Sequence, residues 1–468
     1  MVLESRYASQ EMVALFSKES KYSNWRKLWL ELAKAEKLAG HPILPEAIKE
    51  MESNTDSIDF EKVSEYERKF KHEVIAHIHA YSDICPHAKG IIHLGATSSF
   101  VMDGSDLILY RDALRIIQGK LKTTLLSLSK RAKDYSNLPC LGYTHFQPAQ
   151  PTTMGKRFAS WAQDLLFSYR DLNDLLSDFP FIGVKGATGT QSSFLKLFDG
   201  DQSKVDLVEK EVAKAFGFTS LFPLVSQTYP RIQDGRILAI LSRIAVALNK
   251  MGTDLRLLSH SKEVQEPLSK HQVGSSAMPH KCNPIRSERL CSLSRQLINL
   301  ERTALDTAAN QWLERSLDDS ASRRLTMPQA FLLCDSLLHL AHHLSESIEV
   351  DEEQVGFELD MNLPFLKLEP ILMECCKQGC DREKVHTELL NAAKKGYTST
   401  RRGEKINLVS FVDPNSINGL DLSKIEASIT INQLIGNAPL QVMQFSSDLE
   451  ETLKQDRVKE IEIESVKI

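Results

Sequence analysis

From Arg236 to His260 the apolar residues Ile237, Leu241, Ile244, Leu248, Met251, Leu255 and Leu258 alternate spacings of four and three with no proline between them. The pattern predicts one long helix with a coiled-coil-like seam. A second stripe through Leu107, Tyr110, Leu114, Ile117, Leu121, Leu125 and Leu128 predicts another helix. A third, through Met154, Phe158, Trp161, Leu165, Leu172 and Leu175, follows an N-cap at Thr152 or Thr153. Two more run from about Ile285 to Leu305, with Leu290, Leu293, Leu297 and Leu300 on one side, and from Pro328 to Ser347. Strand alternation is confined to Ile461-Glu462-Ile463 and the run Ile406 to Val412, read as short strands. Between Phe181 and Phe194 the spacing of Gly183, Gly186 and Gly189 matches no phosphate loop, and that stretch reads as a connection with turns.

The fold class is therefore all-α, in three helical domains. Residues 1–97 form an N-terminal helical domain, 98–350 a central long-helix bundle, and 351–468 a C-terminal helical domain. The first boundary falls where Gly95 and Gly104 bracket a Thr/Ser cluster, and the second at the acidic run Glu349 to Glu353. Charge adds little: 57 basic against 62 acidic residues leave a net charge of −5, which gives no sign of a nucleic-acid partner. No apolar run reaches membrane-spanning length, and Met1-Val2-Leu3-Glu4-Ser5-Arg6 lacks the apolar region of a signal peptide. A cytoplasmic protein without a membrane partner is expected. Eight cysteines are too dilute for a disulfide framework, and the cluster Cys375, Cys376, Cys380 has no second ligand pair at zinc spacing.

Chemistry concentrates in the loop 274–284, Gly274-Ser275-Ser276-Ala277-Met278-Pro279-His280-Lys281-Cys282-Asn283-Pro284. Gly274 opens backbone conformations closed to other residues, while Pro279 and Pro284 stop helix on either side, so a shaped loop must form. Ser275 and Ser276 supply hydroxyls, Lys281 a cation and Asn283 an amide that both donates and accepts. Such a set binds a carboxylate or activates an oxygen nucleophile or base.

Four other stretches carry site chemistry. In Lys71-His72-Glu73-Val74-Ile75-Ala76-His77 the two histidines sit roughly 140° apart on a helix, so they cannot share a metal. The stretch His93-Leu94-Gly95-Ala96-Thr97-Ser98-Ser99 offers hydroxyls and backbone N–H groups to an anion, or simply caps a helix. In Gly142-Tyr143-Thr144-His145-Phe146-Gln147-Pro148, His145 lies in a loop immediately before a helix, where imidazole serves as acid or base at neutral pH. Arg286, Arg289, Arg315, Arg323 and Arg324 all follow the loop, and converging arginine forks imply a polyanionic small ligand.

The loop resembles the signature of the fumarase/aspartase superfamily, G-S-x-x-M-x-x-K-x-N, at every fixed position. With Arg6-Tyr7-Ala8-Ser9, Lys71-His72-Glu73-Val74, Leu94-Gly95-Ala96-Thr97-Ser98, Gly142 to Gln150 and Val184 to Gln191, the resemblance narrows to the adenylosuccinate lyase family, its animal-type branch in particular, over essentially the whole chain. It implies an anti β-elimination that releases fumarate from a succinyl-bearing nucleotide, without cofactor or metal. Ser275 would be the general base and His145 the general acid, with His72 hydrogen-bonded to substrate, Lys281 making the serine basic and Glu288 orienting a histidine. Thr97, Ser98, Lys281 and Asn283 would stabilise the carbanion dianion, and by their residue types Thr144 and Gln147 can orient substrate oxygens. Arg6, Tyr7, Arg289, Ser320 and Arg324 would hold phosphate and ribose, with Gln227 and Arg315 contacting substrate elsewhere. Lys71 stands where the family often has arginine and Glu73 where it usually has aspartate. The resemblance also implies a homotetramer whose active sites draw on three subunits. The competing expectations are another fumarate-releasing member, such as argininosuccinate lyase, and a non-catalytic crystallin-like relative.

Overall fold

All five apolar stripes form helices. The computed structural model describes residues 2–268, 274–275, 277–400 and 406–463. Of the elements that matter to the site, α1 spans Lys18–Leu38, α2 Glu73–Ile84 and α3 Ser98–Asp134. Strands β1 (Pro139–Thr144) and β2 (Gln147–Thr153) follow, then α4 (Met154–Ser177) and α5 (Ile232–His260). Next come β3 (Val264–Gln265), α6 (Ile285–Ala309), α7 (Asp319–Ser347), β4 (Glu349–Val350) and α8 (Ala438–Gln455).

Buried contacts give the direction of each long helix. Arg231, at the start of α5, pairs with Asp103 in the second turn of α3 at 3.0 Å and with Asp319, the first residue of α7, at 2.7 Å. At the far end Arg131 of α3 donates to the carbonyl of Ile348, and β3 pairs antiparallel with β4 through Val264 and Val350. So α3, α5 and α7 run parallel between two poles. α4 and α6 run back: α4 starts at the far pole, where Thr153 caps it by accepting from the Lys156 N–H at 3.2 Å, and α6 starts there with the Arg286 N–H on Glu266 at 2.9 Å. The 37 residues of α3 make it about 55 Å long at 1.5 Å per residue.

The predicted seam residues Ile237, Leu241, Ile244, Leu248 and Leu255 are all completely buried, as are Leu114, Ile117, Leu121, Leu125 and Leu128. At roughly 1.5–3 kcal/mol per buried aliphatic side chain these stripes hold the bundle together. The same core takes in Trp25, Trp29 and Met51 from the N-terminal helices and Val442, Leu449 and Leu453 from α8, which returns to pack on α3 and α4. A second, separate core is built from Ile371, Cys375, Val385, Leu389 and Ile417. Among the described residues no helix is long and apolar enough to cross a membrane.

Four expectations are corrected. Leu408–Phe411, inside the run read as a strand, is a 3-10 turn, capped by the Asn407 side chain on the Ser410 N–H at 3.3 Å. Ile461 to Ile463 joins no ladder, the Ile461 carbonyl instead accepting from Thr123 Oγ1 at 3.0 Å. The ordered hairpin is β1–β2, which the pattern hid because Pro139, Gly142, Pro148 and Pro151 all argue against strand. In a two-stranded ribbon both strands are edges, so a proline can turn its missing donor away from the ladder. The helix expected from Pro328 begins at Asp319 and carries Pro328 in its interior, with Met327, Ala330 and Phe331 buried around it.

Candidate active site

The sequence-selected residues fall at opposite poles of the bundle. At the first pole Thr97 is the N-cap of α3 and Ser98 opens the helix. Gly95, one turn ahead, has φ +68° and would drive a Cβ to 2.8 Å from the Phe194 ring, so only glycine lets the chain enter the helix here. Arg315 reaches the same turn, its Nη1 donating to the Ser99 hydroxyl at 2.6 Å, and the Gln227 N–H bonds the Glu314 carbonyl beside it at 3.2 Å. The two line or flank a cavity of about 500 Å³ bordered by Thr228, Arg231 and Gln311.

His72 belongs to this pole as well. It is the N-cap of α2, exposed, with Nδ1 accepting from the Ile75 N–H at 3.4 Å, and Lys71 before it adopts the left-handed conformation at φ 54°. The neighbouring His93 has its pKa lowered to about 4, first by burial and then by the proximity of His72. The Trp29 indole N–H donates to His93 Nδ1 at 2.8 Å, which fits a neutral ring. His77 is buried instead, stacked on Tyr22 with ring centres 4.0 Å apart, and burial lowers its pKa to about 4.

Glu73 organises a charged cluster. It accepts from the Tyr22 hydroxyl at 2.7 Å, from Lys21 at 3.4 Å and from Arg324 at 2.6 Å. Burial pushes its carboxyl up, but Lys21, the Tyr22 hydroxyl and Arg324 together hold it below the usual carboxylate value. The Tyr22 hydroxyl is pushed up in turn, first by burial and then by Glu73. Around them lies a cavity of about 320 Å³ lined by Lys18, Lys21, Tyr22, Ser320 and Arg324. Lys21 and Tyr22 were missed in the sequence because nothing in a helix face of mixed polarity distinguishes them before Glu73 is folded against it. Arg6 and Tyr7 stand apart, with the guanidinium 5.9 Å from the Tyr7 ring. Their arm is tied to the middle of α7 by the Ser9 N–H on Asp335 at 2.7 Å.

The second pole carries His145 and the signature loop. Thr144 pairs with Gln147, leaving His145 and Phe146 as a two-residue turn with φ 53° and 57°. Both values belong to the tight hairpin turn that favours asparagine and glycine, so two ordinary residues hold strained backbone at the tip. His145 therefore does not sit immediately before a helix as the sequence suggested; all of β2 intervenes. It is exposed, and the adjacent Phe146 borders a cavity of about 540 Å³ with Arg157, Trp161, Asp254 and His260.

In the loop the Ser275 hydroxyl accepts from the backbone N–H groups of Met278 at 3.1 Å and Ala277 at 3.4 Å. These donors were invisible in the motif, which counts side chains only. The loop closes on itself: Asn283 donates its amide to the Gly274 carbonyl at 3.1 Å, and a Cβ on Gly274 would lie 2.4 Å from the Lys281 carbonyl. Gly274 is thus required for close approach. Lys281 is exposed, as is Glu288 in the first turn of α6, with the half-buried Arg289 next to it. Ser276 lies outside the described residues. Within one chain, then, His72, Glu73, Thr97, Ser98, Gln227, Arg315, Ser320 and Arg324 gather at one pole. Thr144, His145, Ser275, Lys281, Asn283, Glu288 and Arg289 gather at the other.

A family model described as Lyase matches residues 31–298. The adenylosuccinate lyase of Saccharomyces cerevisiae is 43% identical over 447 residues, covering 95% of this chain and 93% of the yeast protein. The adenylosuccinate lyase of Schistosoma mansoni is 45% identical over 389 residues, covering 83% of this chain and 81% of its own. Among solved structures, the 3-carboxy-cis,cis-muconate lactonizing enzyme from Pseudomonas putida superposes with a TM-score of 0.82 at 22% identity, over 96% of this chain and 99% of that one. That likeness speaks for the fold alone.

Proposed function

This chain belongs to the adenylosuccinate lyase family, and on that premise we propose that it releases fumarate from adenylosuccinate, leaving AMP, and from the aminoimidazole carboxamide ribonucleotide bearing the same succinyl group. It is a lyase that acts on a carbon–nitrogen bond. The near-full-length match to that family carries the reading.

In the proposed step Ser275 Oγ takes the proton from the carbon next to the C–N bond, electrons move into the adjacent carboxylate, and the C–N bond then breaks. His145 protonates the departing nitrogen. A serine hydroxyl is a poor base unless its alkoxide is stabilised, and the two N–H groups on Ser275 Oγ supply part of that stabilisation. Lys281, in the same loop, supplies the charge. Thr97, Ser98 and Asn283 donate to the developing dianion, while Thr144 and His72 orient the substrate. Glu288 orients a histidine. The anionic end of the nucleotide goes to Arg6, Tyr7, Arg289, Ser320 and Arg324, where the Lys21–Glu73–Arg324 cluster fixes one arginine. Lys71 and Glu73 border that contact.

Such a division of labour needs more than one chain. His72 and Thr97 lie at the first pole and the hairpin of His145 at the second, with α3, about 55 Å long, running between the poles. Two copies laid antiparallel bring the first pole of one beside the second pole of the other, and a two-fold axis repeats the arrangement. Exposed apolar residues on the outer faces of the bundle, Phe167 at 59% and Val246 at 52%, support packing between copies. A homotetramer with each site drawn from three subunits is the assembly that fits. The reaction belongs in the cytoplasm, in keeping with eight free thiols.

The test is ultraviolet absorbance on mixing the protein with adenylosuccinate, with fumarate measured in parallel. No spectral change, with fumarate formed from argininosuccinate instead, refutes the substrate assignment. Ser275→Ala should lower kcat by about a thousandfold or more while substrate still binds. Near-normal turnover in that variant moves the base role to Ser276.

A further inference from the structure

Arg315 reaches the first pole from the loop ahead of α7, and two groups hold its guanidinium. Nη1 donates to the Ser99 hydroxyl at 2.6 Å, and Nη2 stands 3.9 Å from Asp319 Oδ1. Asp319 is completely buried, and among the described residues its Oδ1 has no hydrogen-bond partner, whereas Oδ2 accepts from Arg231 Nε at 2.7 Å. Arg231 does not serve both oxygens, because its Nη2 is turned to Asp103 at 3.0 Å. A buried carboxylate oxygen without a donor is costly unless a cation stands near, and the guanidinium facing Oδ1 is that of Arg315. Alternating charges thus run from Asp103 in α3 through Arg231 and Asp319 to Arg315, which borders the 500 Å³ cavity.

We propose that Asp319 is a positioning residue: it fixes the Arg315 fork at the angle at which it meets a carboxylate of the substrate, without touching the substrate itself. The inference rests on reading Arg315 as a substrate contact. A long side chain loses rotamer freedom when it binds, and a fork already hydrogen-bonded to Ser99 and drawn by charge toward Asp319 has lost part of it before the ligand arrives. Asp319 also precedes Ser320 directly and lies little more than a turn ahead of Arg324 on the same helix. One buried carboxylate therefore sets the fork in register with two further residues of the anion site.

Steady-state kinetics of the full chain on adenylosuccinate test this. Asp319→Asn keeps the shape and an acceptor for Arg231 but withdraws the charge facing Arg315. KM should rise about tenfold or more, the effect of one lost charge-assisted contact, with kcat within about twofold. Arg315→Lys should raise KM by itself, and adding Asp319→Asn to it should change KM no further. Ser99→Ala leaves the Asp319–Arg231 pair intact and should raise KM in the same direction, which keeps the inference testable if Asp319→Asn fails to fold. An unchanged KM in Asp319→Asn, or in Ser99→Ala where only that variant folds, overturns the positioning role. So does an Asp319→Asn effect that persists undiminished in the Arg315→Lys background, as a purely structural loss would. A wild-type KM in Arg315→Lys alone overturns the reading of Arg315, and the inference with it.

Discussion

If His72 and His145 act in one site from different chains, two inactive variants must rescue each other. His72→Asn keeps the N-cap of α2, since asparagine is among the strongest caps. His145→Asn keeps the turn at φ 53°, a conformation asparagine tolerates. Each variant alone should lose about 10²- to 10⁴-fold in kcat, the usual contribution of a proton-transfer group or its equivalent. Within one chain the two histidines lie at opposite poles of a bundle whose helix α3 alone is about 55 Å long, against a hydrogen-bond reach of about 3 Å. No loop movement closes that gap. After subunits of the two variants are mixed in equal amounts and reassembled, a site is intact only if it takes His72 from one parent and His145 from the other. Chance makes that about one site in four, so activity should recover to about 25% of wild type. Fumarate release before and after reassembly reads the outcome. Activity that stays at the sum of the two variants means that no intact site has formed, and the shared-site reasoning fails. A wild-type chain reassembled with the double variant gives a second check: about one quarter if the histidines come from different chains, about one half if they come from the same one.

Two groups drawn out of water tie stability to pH in opposite directions. Glu36 is completely buried with neither carboxylate oxygen hydrogen-bonded among the described residues, and burial pushes its pKa from 4.5 to about 8. Its contribution is whole below the unfolded value and is lost as pH rises through 8, at about 1.4 kcal/mol per pH unit inside that window. Glu36→Gln should therefore flatten the fall in thermal midpoint between pH 5 and pH 8; parallel curves for variant and wild type would sink this account. His93 has its pKa lowered from 6.5 to about 4, so its contribution is present above 6.5 and lost as pH falls toward 4. His93→Asn should reduce the acid slope of the midpoint between pH 7 and pH 5, and an unaltered slope would mean that another group carries it.

Much of the fold was legible because helix seams are local. The spacing of Ile237 to Leu258 or of Leu107 to Leu128 records which face is buried, and every one of those residues is buried in the folded chain. The Thr153 cap was legible for the same reason, one hydroxyl serving an N–H in the next turn. The hairpin was not, because its prolines are compatible with strand only when both strands are edges, and edge status is a property of the whole fold. Nor could the pattern reveal that His145 would sit at a strained tip, or that Ser275 would receive two backbone N–H groups.

Local spacing along the chain was enough to specify the helical class, the seams that bury the bundle, and the residue types around Ser275, His145, His72 and the arginines. Those are encoded by neighbours within a few turns of one another. The packing of the folded chain divides these residues between two poles, unites Lys21, Tyr22 and Arg324 around Glu73, and sets Asp319 behind Arg315. Each of those facts depends on the length and direction of helices packed side by side. A chain read one residue after another carries no measure of the distance that α3 puts between His72 and His145.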